Sequence, residues 1–153
     1  MADTKITYKE NKGFWIHEDF LKLALFYITQ EISKVQYDIS NKQELLDDLN
    51  VDIQGYTSGS MCVGLFEYVN STFEEQVMQQ VLQGVKAILQ SKGAYISVSE
   101  LQEIPTRDED FKFLFSRKPF PTAELIKIID ALIKMLQGTW DSTNYSMKIN
   151  YHY

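Results

Sequence analysis

Basic side chains are missing from a long central stretch of this chain. Between Lys42 and Lys86 there is no Lys, Arg or His, yet seven carboxylates fall there: Glu44, Asp47, Asp48, Asp52, Glu67, Glu74 and Glu75. The formal charge of the chain is -6, so this stretch alone exceeds the whole acidic surplus. Cysteine is nearly absent as well. Cys62 stands alone, which excludes an intrachain disulfide and fits a reducing compartment. Histidine is scarce: His17 and His152 lie at opposite ends, with no helical ligand spacing between them. Long hydrophobic runs are lacking too. The most apolar run, Phe20 to Ile28, is broken by Lys22 and followed by Gln30 and Glu31, too short to span a bilayer. Met1-Ala2-Asp3-Thr4-Lys5 has none of the pattern of a secretory leader, and the expectation is a cytoplasmic protein.

These absences exclude whole classes of function. A pI near 4.9 argues against binding a nucleic-acid backbone or an anionic membrane, both of which need clustered Lys and Arg. There is no GxSxG, no HExxH and no glycine-rich phosphate loop. Cys62, between Met61 and Val63, reads as a small core hydrophobe rather than a nucleophile. The oxygens of Asp47 to Asp52 lack the central Gly and closing Glu of a calcium loop. Tyr145, Tyr151, Tyr153 and Trp140 resemble a base-stacking platform, but the acidic balance favours sheet packing. The expectation is therefore no catalytic residue, no cofactor and no metal.

What is present supports one α+β domain over residues 1–153, mostly helical, with a small antiparallel or mixed sheet. Apolar residues make up 44%, enough for a real core. Ile6 and Tyr8 suggest an edge strand before the turn signal Asn11-Lys12-Gly13. From Trp15 to Val35 the pattern is a long helix, apolar on nearly all sides and so central. Ser40 and Gln43 suggest a capping box opening a helix over 41–50, with Leu45, Leu46 and Leu49 inward. Met61, Val63 and Leu65 suggest a buried strand over 60–67. Ser71 and Glu74 form a second capping box, opening a helix over 72–90 that Gly93 stops. Residues 94–98 suggest a strand, and Thr122 to Gly138 frame a last helix. Tyr145, Met147, Ile149, Tyr151 and Tyr153 alternate with polar residues, which predicts a C-terminal strand.

The functional reading rests on the acidic stretch. Glu44, Asp47 and Asp48 are spaced i, i+3, i+4, which places them together on the outer face of the helix over 41–50. Fixed carboxylates on a surface steer a cationic partner and raise its association rate. Asp52, Glu67, Glu74 and Glu75 extend the set, and Tyr56, Phe66 and Tyr68 supply apolar anchors. Small, acidic, cysteine-poor and without a catalytic motif, the chain resembles the immunity proteins of bacterial polymorphic-toxin and contact-dependent growth inhibition systems. That resemblance implies a non-catalytic protein that binds one cognate toxin domain, often a basic nuclease, and blocks it. The alternatives are an adaptor module, including a homodimer joined through its aromatic C-terminal strand, and a small enzyme.

Overall fold

Residues 3–56 and 64–152 are described by the computed structural model. The chain opens with an antiparallel hairpin, Asp3–Tyr8 (β1) against Lys12–His17 (β2), with Ile6 opposite Phe14. Its turn is made by Lys9, Glu10 and Asn11, all at positive φ. The central helix α1 spans Glu18–Ile32, so it starts three residues later than the sequence pattern predicts. Trp15, Ile16 and His17 pair instead with Lys5, Thr4 and Asp3. Helical periodicity runs without a break into this aromatic and β-branched stretch, and only the partner strand decides between the two conformations.

The expected central position of α1 is observed. It packs against α2 (Lys42–Ile53), α3 (Thr72–Ser91) and α6 (Thr122–Gln137). Leu21, Leu23, Leu25 and Ile28 are fully buried, each stabilising the fold by about 1.5–3 kcal/mol. In α2, Leu45 and Leu49 are buried and Leu46 partly so. The capping box expected at Ser40 does not form. Asn41 occupies the cap position in a left-handed conformation, with no side-chain cap bond.

The strand expected over 60–67 falls partly on residues outside those described, Met61, Cys62 and Val63 among them. Its described part is a turn: Glu67 N–H donates to Gly64 O at 3.1 Å and Val69 N–H to Phe66 O at 3.2 Å. Leu65 and Phe66 are both buried because the turn lies on the core, which the sequence alone cannot distinguish from a strand buried on both faces. Ser71 caps α3 as expected, with Glu74 N–H donating to Ser71 Oγ at 3.1 Å, but the Glu74 carboxylate reaches one residue further back than a capping box, accepting from Asn70 N–H at 3.2 Å. Helix α3 crosses α1 closely at Gly84. A Cβ there would lie 2.5 Å from Glu31 Oε2 and 2.9 Å from the Tyr37 hydroxyl.

The second half is built on short elements. Tyr95–Ile96 (β3) pairs antiparallel with Phe120–Pro121 (β4) across α4 (Val98–Gln102) and α5 (Glu109–Leu114). Thr122 opens α6 but does not cap it; its hydroxyl donates to Gly93 O at 2.6 Å. The C-terminal strand exists, but only as Tyr145–Ser146 (β5), parallel to β2. Beyond it the predicted alternation survives in burial. Met147 and Tyr151 are buried and Ile149 partly so, while Lys148, Asn150 and His152 are exposed. The tail is held by side chains instead of a ladder: Lys127 Nζ donates to Lys148 O at 2.6 Å, and Asn150 N–H donates to Glu124 at 2.6 Å.

The result is a mostly helical α+β fold. Six helices, a three-stranded mixed sheet ordered β1-β2-β5 and a two-stranded sheet share one hydrophobic core among the described residues. No helix among the described residues is long and apolar enough to cross a membrane.

Candidate interaction surface

The structure sorts the seven carboxylates into four environments. Glu44, Asp47 and Asp48 project outward from α2, where the buried Leu45 and Leu49 fix the opposite face on the core. Gln43 Nε2 donates to Asp47 Oδ1 at 2.9 Å, one helical turn along. The Tyr68 hydroxyl donates to Asp48 Oδ2 at 2.6 Å, tying the turn over 64–69 to α2. That bond, followed by desolvation and the charges of Asp48, Glu44 and Glu67, pushes the Tyr68 phenol up to about 12. Glu67, exposed on the turn, thus joins the α2 face around Tyr68.

No cation among the described residues offsets this group. Among the described residues none of Glu44, Asp47, Asp48 and Glu67 forms an ion pair. Lys42 begins the same helix, but its ammonium donates to the carbonyls of Lys34 at 2.7 Å and Tyr37 at 3.0 Å. Four exposed carboxylates without a counter-charge repel one another by a few tenths of a kcal/mol per close pair.

The remaining three carboxylates are placed elsewhere. Asp52, grouped with the acidic face on sequence, is 3% exposed and lies beneath the surface at the C-terminal end of α2. Glu74 is engaged in the α3 cap. Glu75 accepts from the Tyr8 hydroxyl at 2.9 Å and pairs with Lys9 at 3.2 Å. It lines a cleft of about 660 Å³ with Lys12 and Trp140, between the β1–β2 turn and the end of α6. Phe66 is buried, so it offers no anchor.

Tyr56 is 61% exposed, but it faces a different neighbourhood. The Arg107 guanidinium sits 5.9 Å from its ring, and both border a recess of about 400 Å³ with Gln54, Asp108 and Asp110. Behind this recess lies a buried charge cluster that sequence reasoning missed. Lys22 is fully buried; its ammonium donates to Asp108 Oδ2 at 2.5 Å and lies 3.8 Å from Asp19 Oδ1. Burial raises the Asp19 carboxyl to about 6, against the opposing pull of Lys22. Asp108 also caps α5 by accepting from Phe111 N–H at 3.2 Å. Gly55, at φ 83, lets the chain pass there: a Cβ would lie 2.8 Å from Asp108 Cβ. The signal in the sequence was Lys22 itself, since a lysine in an all-round apolar helix needs a buried anion.

Tyr151 packs against Phe20, Phe115 and Phe120, and its hydroxyl donates to Lys118 O at 2.8 Å. It is a core residue and not a free edge. No protein-family model, curated protein or solved structure matches the chain.

Proposed function

We propose that this chain is a non-catalytic immunity protein that binds and neutralises a basic toxin domain, one of nuclease type, through the outer face of α2. Glu44, Asp47, Asp48 and Glu67 form the contact, with Tyr68 at its centre. One observation carries the reading: these four carboxylates are exposed together, and no cation pairs with them among the described residues. Such a face is mildly self-repelling and gains most from a partner that brings Lys or Arg. A nuclease cleft is basic because it binds phosphates, so it presents the complementary charge. Tyr68 supplies aromatic area of the kind that anchors interfaces, and its bond to Asp48 holds that carboxylate in place before contact.

The test is a binding measurement against a toxin domain encoded beside this gene. The triple variant Glu44→Lys, Asp47→Lys, Asp48→Lys should weaken binding about a hundredfold or more, on the scale of close interfacial charge pairs. The wild-type association rate should fall as salt rises. Unchanged affinity in a folded triple variant removes the α2 face from the interface.

A further inference from the structure

Strand β2 runs into helix α1 with no intervening loop, and His17 is the hinge. Its Nδ1 accepts a hydrogen bond from the Asp19 backbone N–H at 3.1 Å, which makes the imidazole ring the N-cap of α1. A cap needs a lone pair, so the ring proton of the neutral form resides on Nε2. Nε2 is itself buried, with no hydrogen-bond partner among the described residues. A second proton therefore has one place to go, the nitrogen that holds the helix. Once there, it would point at the Asp19 N–H and at the positive end of the helix dipole.

We infer that His17 is an acid-operated release for the first turn of α1: the neutral ring holds the turn, and protonation at Nδ1 lets it go. The groups facing the ring come from both neighbouring elements. Asp3 is its register partner on β1, and Glu18 and Lys22 belong to α1; the Phe20 ring packs at 5.3 Å. Asp3 and Glu18 favour the imidazolium and Lys22 opposes it. Desolvation is the largest influence and holds the imidazole below its ordinary value. A depressed folded value means that the cap contributes fully above pH about 6.5, the ordinary histidine value. Its contribution is lost as pH falls toward the folded value. The turn it releases carries Asp19, whose carboxylate lies 3.8 Å from the Lys22 ammonium one turn further on, so the longer of the two Lys22 ion pairs slackens with it.

Asn caps helices without titrating, so His17→Asn separates the cap from the charge. Urea unfolding of both proteins from pH 8 to 4.5 gives the ratio of their unfolding constants. That ratio, wild type over variant, should stay level above pH about 6.5 and then rise by at most about tenfold per pH unit. A flat ratio overturns the proposal. Proton and nitrogen resonances of the wild type give a second readout should the variant not fold. The His17 Nδ1 resonance should be that of an unprotonated nitrogen at pH 8 and gain its proton on acidification, and the Asp19 amide should follow it in an Asp19→Asn background as well, with His152, exposed near the C-terminus, as the reference in the same spectrum. A neutral ring protonated on Nδ1, or an Asp19 amide indifferent to the titration, also overturns it.

Discussion

Carboxylates on the outer face of α2 and carboxylates around Lys22 are the same chemical group in opposite surroundings. Glu44, Asp47 and Asp48 are exposed, with no cationic partner among the described residues. Asp19 and Asp108 are packed against a fully buried ammonium. In water, losing a charge changes little, because the solvent has already screened it. In the interior, losing one partner strands the other charge where nothing solvates it. The first region therefore adds little to the stability of the fold, while the second ties α1 to the start of α5.

The sharpest way to break this comparison is Asp108→Ala. It strips the shorter ion pair from Lys22 and removes the α5 cap, and should cost about 3–5 kcal/mol in urea unfolding. A loss below about 1 kcal/mol would mean that Lys22 is held in the interior without Asp108.

Next comes Gly84→Ala, beside another buried carboxylate, Glu31. Glu31 accepts from the Tyr37 hydroxyl at 2.5 Å and pairs with Lys34 at 2.7 Å, which pushes the Tyr37 phenol up to about 12 through burial and that bond. A methyl group at position 84 displaces this pair. The expected loss is about 1–3 kcal/mol, despite the helix propensity gained, read as a lower thermal midpoint. A stabilised variant would show that Glu31 yields freely.

Asp19→Asn tests the sign of the buried titration. A carboxyl raised to about 6 in the folded protein is destabilising when ionised. Wild-type stability should therefore gain on the variant as pH falls through about 6 toward the ordinary carboxyl value. The expected change is on the order of 3 kcal/mol. A difference that is flat with pH would place the Asp19 carboxyl in the ordinary range.

The smallest effect belongs to the exposed face. Glu44→Lys with Asp47→Lys and Asp48→Lys should move stability by within about 0.5 kcal/mol in the same unfolding assay. A large loss would show that these carboxylates support the fold.

The helices were legible because their periodicity is local. The Ser71 cap, the glycine stop at Gly138 and the all-round apolar surface of α1 follow from residues within a few positions of one another. The exposed face of α2 was legible for the same reason, since i, i+3, i+4 spacing is geometry internal to one helix. Pairings were harder. Trp15 to His17 needed β1 to become strand, and the tail needed Glu124 and Lys127 to replace a ladder.

By itself, then, the sequence determined the four longer helices, the faces they bury and that the outer face of α2 is acidic with no basic residue near it in sequence after Lys42. Tertiary structure decided which carboxylates reach that face. It sent Asp52 beneath the surface, gave Glu75 to Tyr8 and Lys9, and tied the turn that carries Glu67 to Asp48 through the Tyr68 hydroxyl. It also set Asp108 against Lys22 across 86 positions of chain. The reason is physical: a charge is sorted by what solvates it, and in a folded chain that is set by neighbours far away in sequence.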